Sequence, residues 1–228
     1  MNYKSWFAAP LMRANRFLAP RFRKSRLLTK LLFGINPTGG DRPQYWDYTT
    51  LVLKKALKTY GSDGVRTLEI GVGENAVLSQ YLCKQYNVDA TGVDLDGAVV
   101  ECARQSAQAN QVEIDLKQSD MFSACEGKFD LIFWNPPYVP SDAPDDGLVG
   151  KQTDLQSDGG FDGVAVIREF LKRTPERLND GGRVLLGFSA FYVSLETMKD
   201  AVAESGLRIE EIVASRPNPS KVLVLKHA

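Results

Sequence analysis

The chain has 228 residues, of which 43% are hydrophobic and 25% charged, and its formal net charge is zero. This composition is typical of one globular catalytic domain with a short extension. No apolar run approaches the ~18 residues of a membrane span, and the chain does not begin with a compact apolar segment and cleavage site, so neither stable membrane insertion nor secretion is expected. The expected location is therefore the cytoplasm.

The chain contains three well-separated cysteines and one histidine, His227, next to its C-terminus. Without a Cys-x-x-Cys pair, a disulfide framework and a thiolate zinc site are both disfavoured. A single terminal histidine also disfavours His-based catalytic triads and His-ligated metals. We therefore expect an activity that needs no metal.

Positive charge is concentrated at the start of the chain. Residues 1–40 hold eight Lys or Arg and no acid, whereas the remainder holds 20 basic and 28 acidic residues. We predict that residues 1–44 form a basic amphipathic arm, with a short helix within 25–33, and that residues 45–228 form the catalytic domain. Such an arm indicates a partner, and its sequence leaves several roles open: a docking element, a lid over the pocket, a nucleic-acid clamp, a dimer contact or a contact with an anionic membrane surface. An acid-free, arginine-rich start also resembles an organelle transit peptide.

Beyond the arm, the apolar pattern alternates between helix and strand. Helices are predicted over residues 45–60, ended by Gly61, and over 74–86, 96–110, 163–178 and 192–206. Strands are predicted over 65–72, 89–95, 112–120, 128–134, 181–189, 207–215 and 221–227. Strands separated by such helices form βαβ units, so the sheet should be mostly parallel with an antiparallel C-terminal pair. Ligands should bind at the carboxyl ends of its strands.

The segment LEIGVGENA, residues 68–76, joins the first strand to a helix through Gly71 and Gly73. Glycine allows a tight turn and lets a ligand approach the backbone, while the helix N-terminus offers free N–H groups. Asp94 lies 23 residues after Gly71, at the end of the second strand, where a carboxylate can accept from both ribose hydroxyls of a nucleoside. These features predict a nucleotide-like cofactor, although a dinucleotide enzyme would fit them equally well.

Two acidic residues favour S-adenosylmethionine as that cofactor. Glu69 lies within the otherwise apolar first strand, and a buried acid is costly without a partner. The ammonium group of the methionine moiety would provide this partner, whereas a pyrophosphate would be repelled. Asp120 follows the third strand, where it either accepts from the adenine amino group or forms an ordinary turn. Neighbouring residues complete the predicted cofactor-binding set: Asn75, Leu95 and Met121.

These residues resemble the motifs of class I S-adenosylmethionine-dependent methyltransferases, over about residues 45–228. The matching positions are Glu69, Gly71 and Gly73 in the first motif, Asp94 as the ribose-binding acid and Asp120 as the adenine-side acid. The resemblance implies a Rossmann-like α/β fold, with a mostly parallel seven-stranded sheet and an antiparallel C-terminal hairpin. It also implies S-adenosyl-L-methionine as cofactor and S-adenosyl-L-homocysteine as product.

The tetrapeptide Asn135-Pro136-Pro137-Tyr138 narrows the resemblance to the amino-methylating branch, which acts on a glutamine amide or on the exocyclic amine of adenine or cytosine. Such a nitrogen is a poor nucleophile because its lone pair is delocalised, and it carries two N–H donors. The side-chain oxygen of Asn135 and the carbonyl of Pro136 can accept both, and two prolines keep that carbonyl rigid. Tyr138 can stack on the planar substrate and face its developing positive charge. We therefore predict Asn135, Pro136 and Tyr138 as catalytic residues, with Asn135 also contacting the cofactor.

Within that branch the chain is most similar to the protein-glutamine N5-methyltransferases that modify the Gly-Gly-Gln loop of translation release factors. The similarity rests on residues 129–140, FDLIFWNPPYVP, and on the Gly- and Asp-rich segment 157–163 with the helix after it. A looser similarity covers residues 46–57, where Asp47, Thr49 and Thr50 either line the site or cap the helix. The chain departs from the bacterial members, which carry a larger N-terminal helical docking domain. It departs also from the eukaryotic and archaeal members, which depend on a small activating subunit.

The methyl acceptor therefore remains open at this stage among three classes. A protein amide, as in a release factor, agrees with the motifs. An adenine of RNA or DNA agrees with the basic, aromatic arm, but five aspartates within residues 139–160 would repel phosphate if that loop covers the substrate mouth. A small molecule of specialised metabolism would need neither a docking domain nor a nucleic-acid groove.

Overall fold

A computed structural model describes residues 22–38, 45–138, 164–215 and 219–228 of the chain. Its centre is a seven-stranded sheet with strand order β3-β2-β1-β4-β5-β7-β6. The strands are β1 (Arg66–Ile70), β2 (Asp89–Asp94), β3 (Asp115–Gln118), β4 (Phe129–Trp134), β5 (Leu178–Ser189), β6 (Leu207–Ala214) and β7 (Ser220–His227). The pairs among β1 to β5 are parallel, whereas β7 pairs antiparallel with both β5 and β6. This arrangement confirms the predicted mostly parallel sheet with an antiparallel C-terminal pair.

The helices described by the structure alternate with these strands as predicted. They are α1 (Arg26–Phe33), α2 (Tyr48–Tyr60), α3 (Val77–Gln85), α4 (Gly97–Ala109), α5 (Ala165–Arg173) and α6 (Leu195–Ala203). Most boundaries differ from the prediction by three residues or fewer, and the largest difference is at the helix expected to reach residue 178, which ends at Arg173. A 3₁₀ turn, Pro175–Arg177, follows and leads directly into β5. Pro175 has no N–H to donate to the preceding turn, which accounts for the early end of the helix.

Alternate residues of β4 point to opposite faces of the sheet and so belong to two separate apolar clusters. Leu131 and Phe133 pack with buried residues of α1, α2 and α3. Ile132 and Trp134 pack with buried residues of α5 and α6. A strand that is buried on both faces reads as a continuous apolar run, as FDLIFW does. The central strand is therefore fixed firmly, and so is the point at which its carboxyl end leaves the sheet.

The described part of the basic arm packs against the domain. Ser25 is the N-cap of helix α1, and its hydroxyl accepts from Leu28 N at 3.3 Å. Phe33 is 2% exposed and Ile35 fully buried, and both belong to the cluster formed by α2 and α3. Residues 1–21, and the predicted Asp-rich loop with the Gly- and Asp-rich segment up to residue 163, lie outside the described residues. The division at residue 44 therefore stays a prediction.

Candidate active site

The turn after β1 has the backbone conformation that its glycines predict. Gly71 and Gly73 have φ angles of 65° and 63°, in the left-handed region that favours glycine. A Cβ at Gly73 would meet no atom within 4 Å, and one at Gly71 would lie 3.2 Å from Nε1 of Trp134. The turn thus presents bare backbone to open space at Gly73. It lies at the carboxyl end of the sheet, where a ligand is expected.

Glu69 lies on β1 just before this turn and is 5% exposed. Its Oε2 accepts from the backbone N of Ser79 at 2.9 Å and also from the Ser79 hydroxyl. Burial raises the pKa of Glu69 to about 8; the hydrogen bonds from Ser79 oppose this rise and the charge of Asp94 adds to it. The neighbours that shift this pKa supply no positive charge. A cationic group bound beside Glu69 would therefore stabilise its ionised form.

Asp94 ends β2 beside the same turn. Its Oδ2 accepts from Gly73 N at 3.1 Å, and its Oδ1 accepts from Asp96 N at 3.2 Å. The structure thus joins the predicted ribose-binding acid directly to the glycine turn. Leu95, the next residue, is 61% exposed and leaves an apolar surface beside the carboxylate.

The other three predicted cofactor residues have different surroundings. Asp120 is exposed, and its backbone carbonyl accepts from Ser123 N at 3.1 Å in a turn. Met121, in that turn, is half-buried with a φ of 50°. The side-chain oxygen of Asn75 is already engaged, because it accepts from Thr38 N at 3.0 Å and from Ser106 Oγ at 3.2 Å. Asn75 thus joins the arm and α4 to the turn, and the cofactor contacts of these residues stay predictions.

Asn135 follows the last residue of β4 and uses only one end of its amide. Its Nδ2 donates to Oδ1 of Asp47 at 3.2 Å. Its Oδ1 is buried and accepts from no group of the described residues. A buried acceptor without a partner is unfavourable by about 1–3 kcal/mol. The Asn135 oxygen is therefore available to a ligand that brings an N–H donor.

Tyr138 is 7% exposed and is held at both its ring and its hydroxyl. Its hydroxyl donates to Oδ2 of Asp47 at 3.2 Å and lies 2.9 Å from Thr49 Oγ1. Its ring centroid lies 6.2 Å from that of Tyr192, which follows β5. Burial and the charge of Asp47 raise the pKa of Tyr138 well above its ordinary value, so Tyr138 remains a neutral phenol.

Asp47 fulfils both of the roles that the sequence left open for residues 47–50, capping a helix and lining the site. Asp47 is the N-cap of α2 and accepts from Thr50 N at 2.7 Å, and Thr50 completes the capping box. Asp47 also contacts Asn135 and Tyr138, so it is both a cap and part of the site. The contacts of Ser79 and Tyr192 have no signal in the sequence, since a serine in the first turn of a helix and an aromatic residue after a strand are common features.

No metal site is formed by the part of the chain that the structure describes. No group of three or more His, Cys, Asp and Glu side chains is placed there to hold an ion. His227 Nε2 lies 3.3 Å from the carbonyl of Leu178, at the opposite end of β5 from Tyr192. In these same residues no helix has the length and apolarity needed to cross a membrane.

Comparison with known proteins finds similarity to methyltransferases. The model of the methyltransferase small domain matches residues 43–151. A protein of Methanocaldococcus jannaschii, provisionally named a protein N5-glutamine methyltransferase, is 32% identical over 160 residues, which cover 70% of this chain and 78% of that protein.

Bacterial relatives are longer than this chain. A release factor glutamine methyltransferase of Streptococcus pneumoniae is 27% identical over 150 residues, covering 64% of this chain and 52% of that protein. The ribosomal RNA small subunit methyltransferase C of Chromohalobacter salexigens is 32% identical over 160 residues, covering 69% of this chain and 42% of that protein. The chain thus spans about half the length of these relatives.

Solved structures of methyltransferases share the fold. A methyltransferase of Pyrococcus furiosus has a TM-score of 0.66 at 22% identity, and the match covers 93% of this chain and 96% of the Pyrococcus furiosus chain. A 16S rRNA methyltransferase of T. thermophilus, solved with AdoMet and guanosine, has a TM-score of 0.55 at 22% identity and covers 86% of this chain and 46% of its own. These likenesses support the Rossmann-like architecture.

Proposed function

Because this chain belongs to the N-methylating class I S-adenosylmethionine-dependent methyltransferases, we propose that it methylates the side-chain amide nitrogen of a glutamine in a protein. One observation carries the transfer chemistry, and the names of the relatives favour a glutamine amide as its target. The Oδ1 of Asn135 is buried and lacks a donor among the described residues, at the carboxyl end of the central strand. A primary amide has the two N–H donors that this oxygen and a neighbouring carbonyl would accept.

The residues around the glycine turn fit S-adenosylmethionine. Glu69 is a buried carboxyl whose surroundings supply no cation, and the ammonium group of the cofactor would provide one. Asp94 would accept from the ribose hydroxyls and Asp120 from the adenine amine, while the open backbone at Gly73 leaves room for the ligand. When bound, the cofactor supplies a methyl group on an electrophilic sulfonium. No metal or histidine base is assigned a role in this proposal.

The acceptor nitrogen would be held by Asn135 and Pro136. The Asn135 oxygen accepts one N–H and the Pro136 carbonyl the other, which raises the electron density on nitrogen and directs its lone pair. Pro136 is buried and its φ angle is fixed by its ring, so the carbonyl needs little reorganisation before the reaction. The Tyr138 ring, held by Asp47 and Thr49, would lie against the planar acceptor and face the positive charge as it develops.

Support for a release-factor glutamine as the acceptor comes from the named activity of the bacterial relatives. A protein acceptor also needs a docking surface outside the catalytic pocket. The arm is one such surface, and a small activating subunit is another proposed partner. On the described part of the arm, Leu27 and Leu31 are 75% and 78% exposed, which leaves apolar area available for a protein contact.

A nucleic-acid acceptor is the second candidate, and two observations favour it. One relative is a ribosomal RNA methyltransferase. On the arm, Lys24, Arg26 and Lys30 are exposed close to one another in sequence, where they can contact phosphates. An exocyclic amine also presents two N–H donors to Asn135 and Pro136. The two candidates therefore share the chemistry of transfer and differ in docking.

Methyl-labelled cofactor separates these candidates. The purified chain would be incubated with a release factor, with a variant of that factor whose loop glutamine is replaced by asparagine, and with total RNA. The proposal predicts label on the intact factor alone, and no label when N135A replaces the wild-type chain. Label on RNA with none on the factor would overturn the protein acceptor and support the second candidate. A parallel incubation with a small candidate partner subunit tests whether the chain needs one.

A further inference from the structure

We infer that Asp47 is a positioning residue for methyl transfer, which sets the direction of the Asn135 amide and holds the hydroxyl of Tyr138. The inference rests on the role proposed above for Asn135. It concerns a residue 88 positions earlier in the chain, on a different element of the fold.

The two carboxylate oxygens of Asp47 face different partners. Oδ1 accepts from Thr50 N at 2.7 Å, from Thr50 Oγ1 at 2.7 Å and from Asn135 Nδ2 at 3.2 Å. Oδ2 accepts from the Tyr138 hydroxyl at 3.2 Å. An N-cap needs only one short acceptor, and serine fulfils that need as well as aspartate does. The reach to Asn135 and Tyr138 therefore goes beyond what capping α2 requires.

The chemistry of a carboxylate determines which way the Asn135 amide faces. An ionised carboxylate accepts hydrogen bonds and cannot donate them. Only the amino end of Asn135 can therefore face Asp47, because the reversed amide would place two oxygens against each other. The Asn135 oxygen is then left on the other side, buried and without a donor among the described residues. Asp47 thus turns the Asn135 oxygen toward the site, where it can accept an N–H of the nitrogen that is to be methylated.

The same carboxylate fixes the segment after β4 at a second point. The Thr49 hydroxyl donates to Ser220 Oγ at 3.0 Å and lies 2.9 Å from the Tyr138 hydroxyl, which donates to Asp47 Oδ2. The segment from Asn135 to Tyr138 is in this way attached to the first turn of α2 and to the start of β7, and a shift of α2 would move both ends of it.

Two substitutions at position 47 separate positioning from capping. In D47S the serine still caps α2, but its side chain is one bond shorter and loses Asn135 and Tyr138. In D47N the side-chain oxygen can still accept from Thr50 N and from Asn135. We expect D47S to lower kcat roughly 10- to 100-fold, with KM for the acceptor and Kd for S-adenosylhomocysteine within about threefold of wild type. We expect D47N, which can keep both Oδ1 contacts but no longer excludes a reversed Asn135 amide, to have a kcat between those of D47S and wild type.

The melting temperatures of D47S and D47N should agree with each other, since both residues are good N-caps. Equal kcat values for the two variants would overturn the inference and leave Asp47 as a helix cap. Loss of S-adenosylhomocysteine binding in D47S would overturn it too, because Asp47 would then act through the whole domain. S194A serves as a capping control on a different helix, because Ser194 is the N-cap of α6: it should unfold more easily and keep its kcat within about threefold of wild type.

A double-mutant cycle tests the contact without any methyl acceptor. Urea unfolding would be compared for wild type, D47S, N135A and D47S/N135A. Direct coupling predicts that the double variant departs from additivity by roughly tenfold in the unfolding constant. D47S/N179A should be additive, because Asn179 contacts Asp130 at the other end of the sheet. Additivity in both cycles would overturn the contact. Coupling without any methylation of a release factor would leave this contact intact and contradict only the proposed acceptor.

Discussion

Asn135 donates through Nδ2 to Oδ1 of Asp47 at 3.2 Å, so the carboxyl end of β4 is held by the residue that caps α2. The opposite end of the same amide, Oδ1, is buried with no donor among the residues described. One polar group of Asn135 is thus satisfied by the protein, and the other is left for a ligand. This division of roles within one side chain is the geometric basis of the proposed methyl transfer.

Replacing Asn135 by alanine should abolish turnover and spare the cofactor. N135A removes the acceptor that holds one N–H of the substrate, and the expected loss in kcat is roughly 100- to 1000-fold. Binding of S-adenosylhomocysteine, measured by calorimetry, should stay within about threefold of wild type, since most predicted cofactor contacts lie on β1 and β2 or in the turns that follow these strands. N179A is the matched control and should keep normal kcat. Loss of cofactor binding in N135A would mean that this residue mainly binds the cofactor.

Replacing Asp94 by alanine should weaken the cofactor itself. The change removes the predicted ribose acceptor and the acceptor of the Gly73 N–H, which helps fix the turn. Hydrogen bonds to a charged group contribute about 1.5–3 kcal/mol, so Kd for S-adenosylhomocysteine should rise by at least tenfold. Turnover at saturating cofactor should be affected much less. An unchanged Kd would show that the ribose lies elsewhere.

Cofactor binding should release a proton through Glu69. The pKa of Glu69 is raised to about 8 in the unliganded protein, mainly by burial, so at pH 7 this carboxyl is largely protonated. A bound ammonium group would favour the ionised form and expel the proton. Calorimetry at pH 7 in buffers of different ionisation enthalpy should therefore show net proton release with S-adenosylhomocysteine. E69Q should show none from this site, and equal release by the two proteins would contradict the assignment.

The stability of the unliganded protein should fall between pH 5 and pH 8 because of the same group. An unfolded glutamate loses its proton near pH 4.5, whereas folded Glu69 keeps it up to about pH 8. The folded state then binds more protons than the unfolded state throughout this window. The contribution of Glu69 to stability is therefore complete below pH 4.5 and is lost by about pH 8. The difference in the free energy of unfolding between wild type and E69Q, measured with urea, should change by on the order of 3 kcal/mol across the window. A constant difference would show that Glu69 has an ordinary pKa.

Gly187 on β5 should tolerate no side chain, because α2 packs directly on it. A Cβ there would lie 2.6 Å from Thr49 Cγ2 and 3.1 Å from Leu53 Cδ1. G187A should lower the free energy of unfolding by about 1–3 kcal/mol. T49S removes the nearer methyl group. The loss of unfolding free energy caused by G187A should therefore be smaller in the T49S protein than in the wild-type protein. Full stability of G187A in thermal unfolding would mean that α2 moves away from the sheet without cost.

The sheet could be predicted from the sequence because its signals are local. Each buried strand is a short apolar run, and each crossover helix has its own period, so the order of elements needs no knowledge of distant contacts. The position of Asn135 at the end of β4 was also predictable, since two prolines after a buried strand fix where the chain leaves the sheet. The boundary error at Pro175 came from an apolar period that continues past a residue unable to donate an N–H.

The contacts that complete the site could not be predicted, because they join distant parts of the chain. Asp47 has an ordinary capping pattern in the sequence, and its second role depends on how α2 packs beside β4. Asn75 was predicted to touch the cofactor, whereas its side-chain oxygen is engaged by Thr38 and Ser106 through the packing of the arm. The Ser79 hydrogen bonds to Glu69 likewise depend on the angle between β1 and α3.

The most direct test of the account is mass spectrometry of a release factor after incubation with the purified chain and methyl-deuterated S-adenosylmethionine. Fragmentation of the factor would locate the label. We expect one labelled methyl on the side-chain nitrogen of the glutamine in the Gly-Gly-Gln loop, present with the wild-type chain and absent with N135A. The contradicting result is a release factor that stays unlabelled both with and without a small partner subunit, while total RNA in a parallel incubation acquires the label.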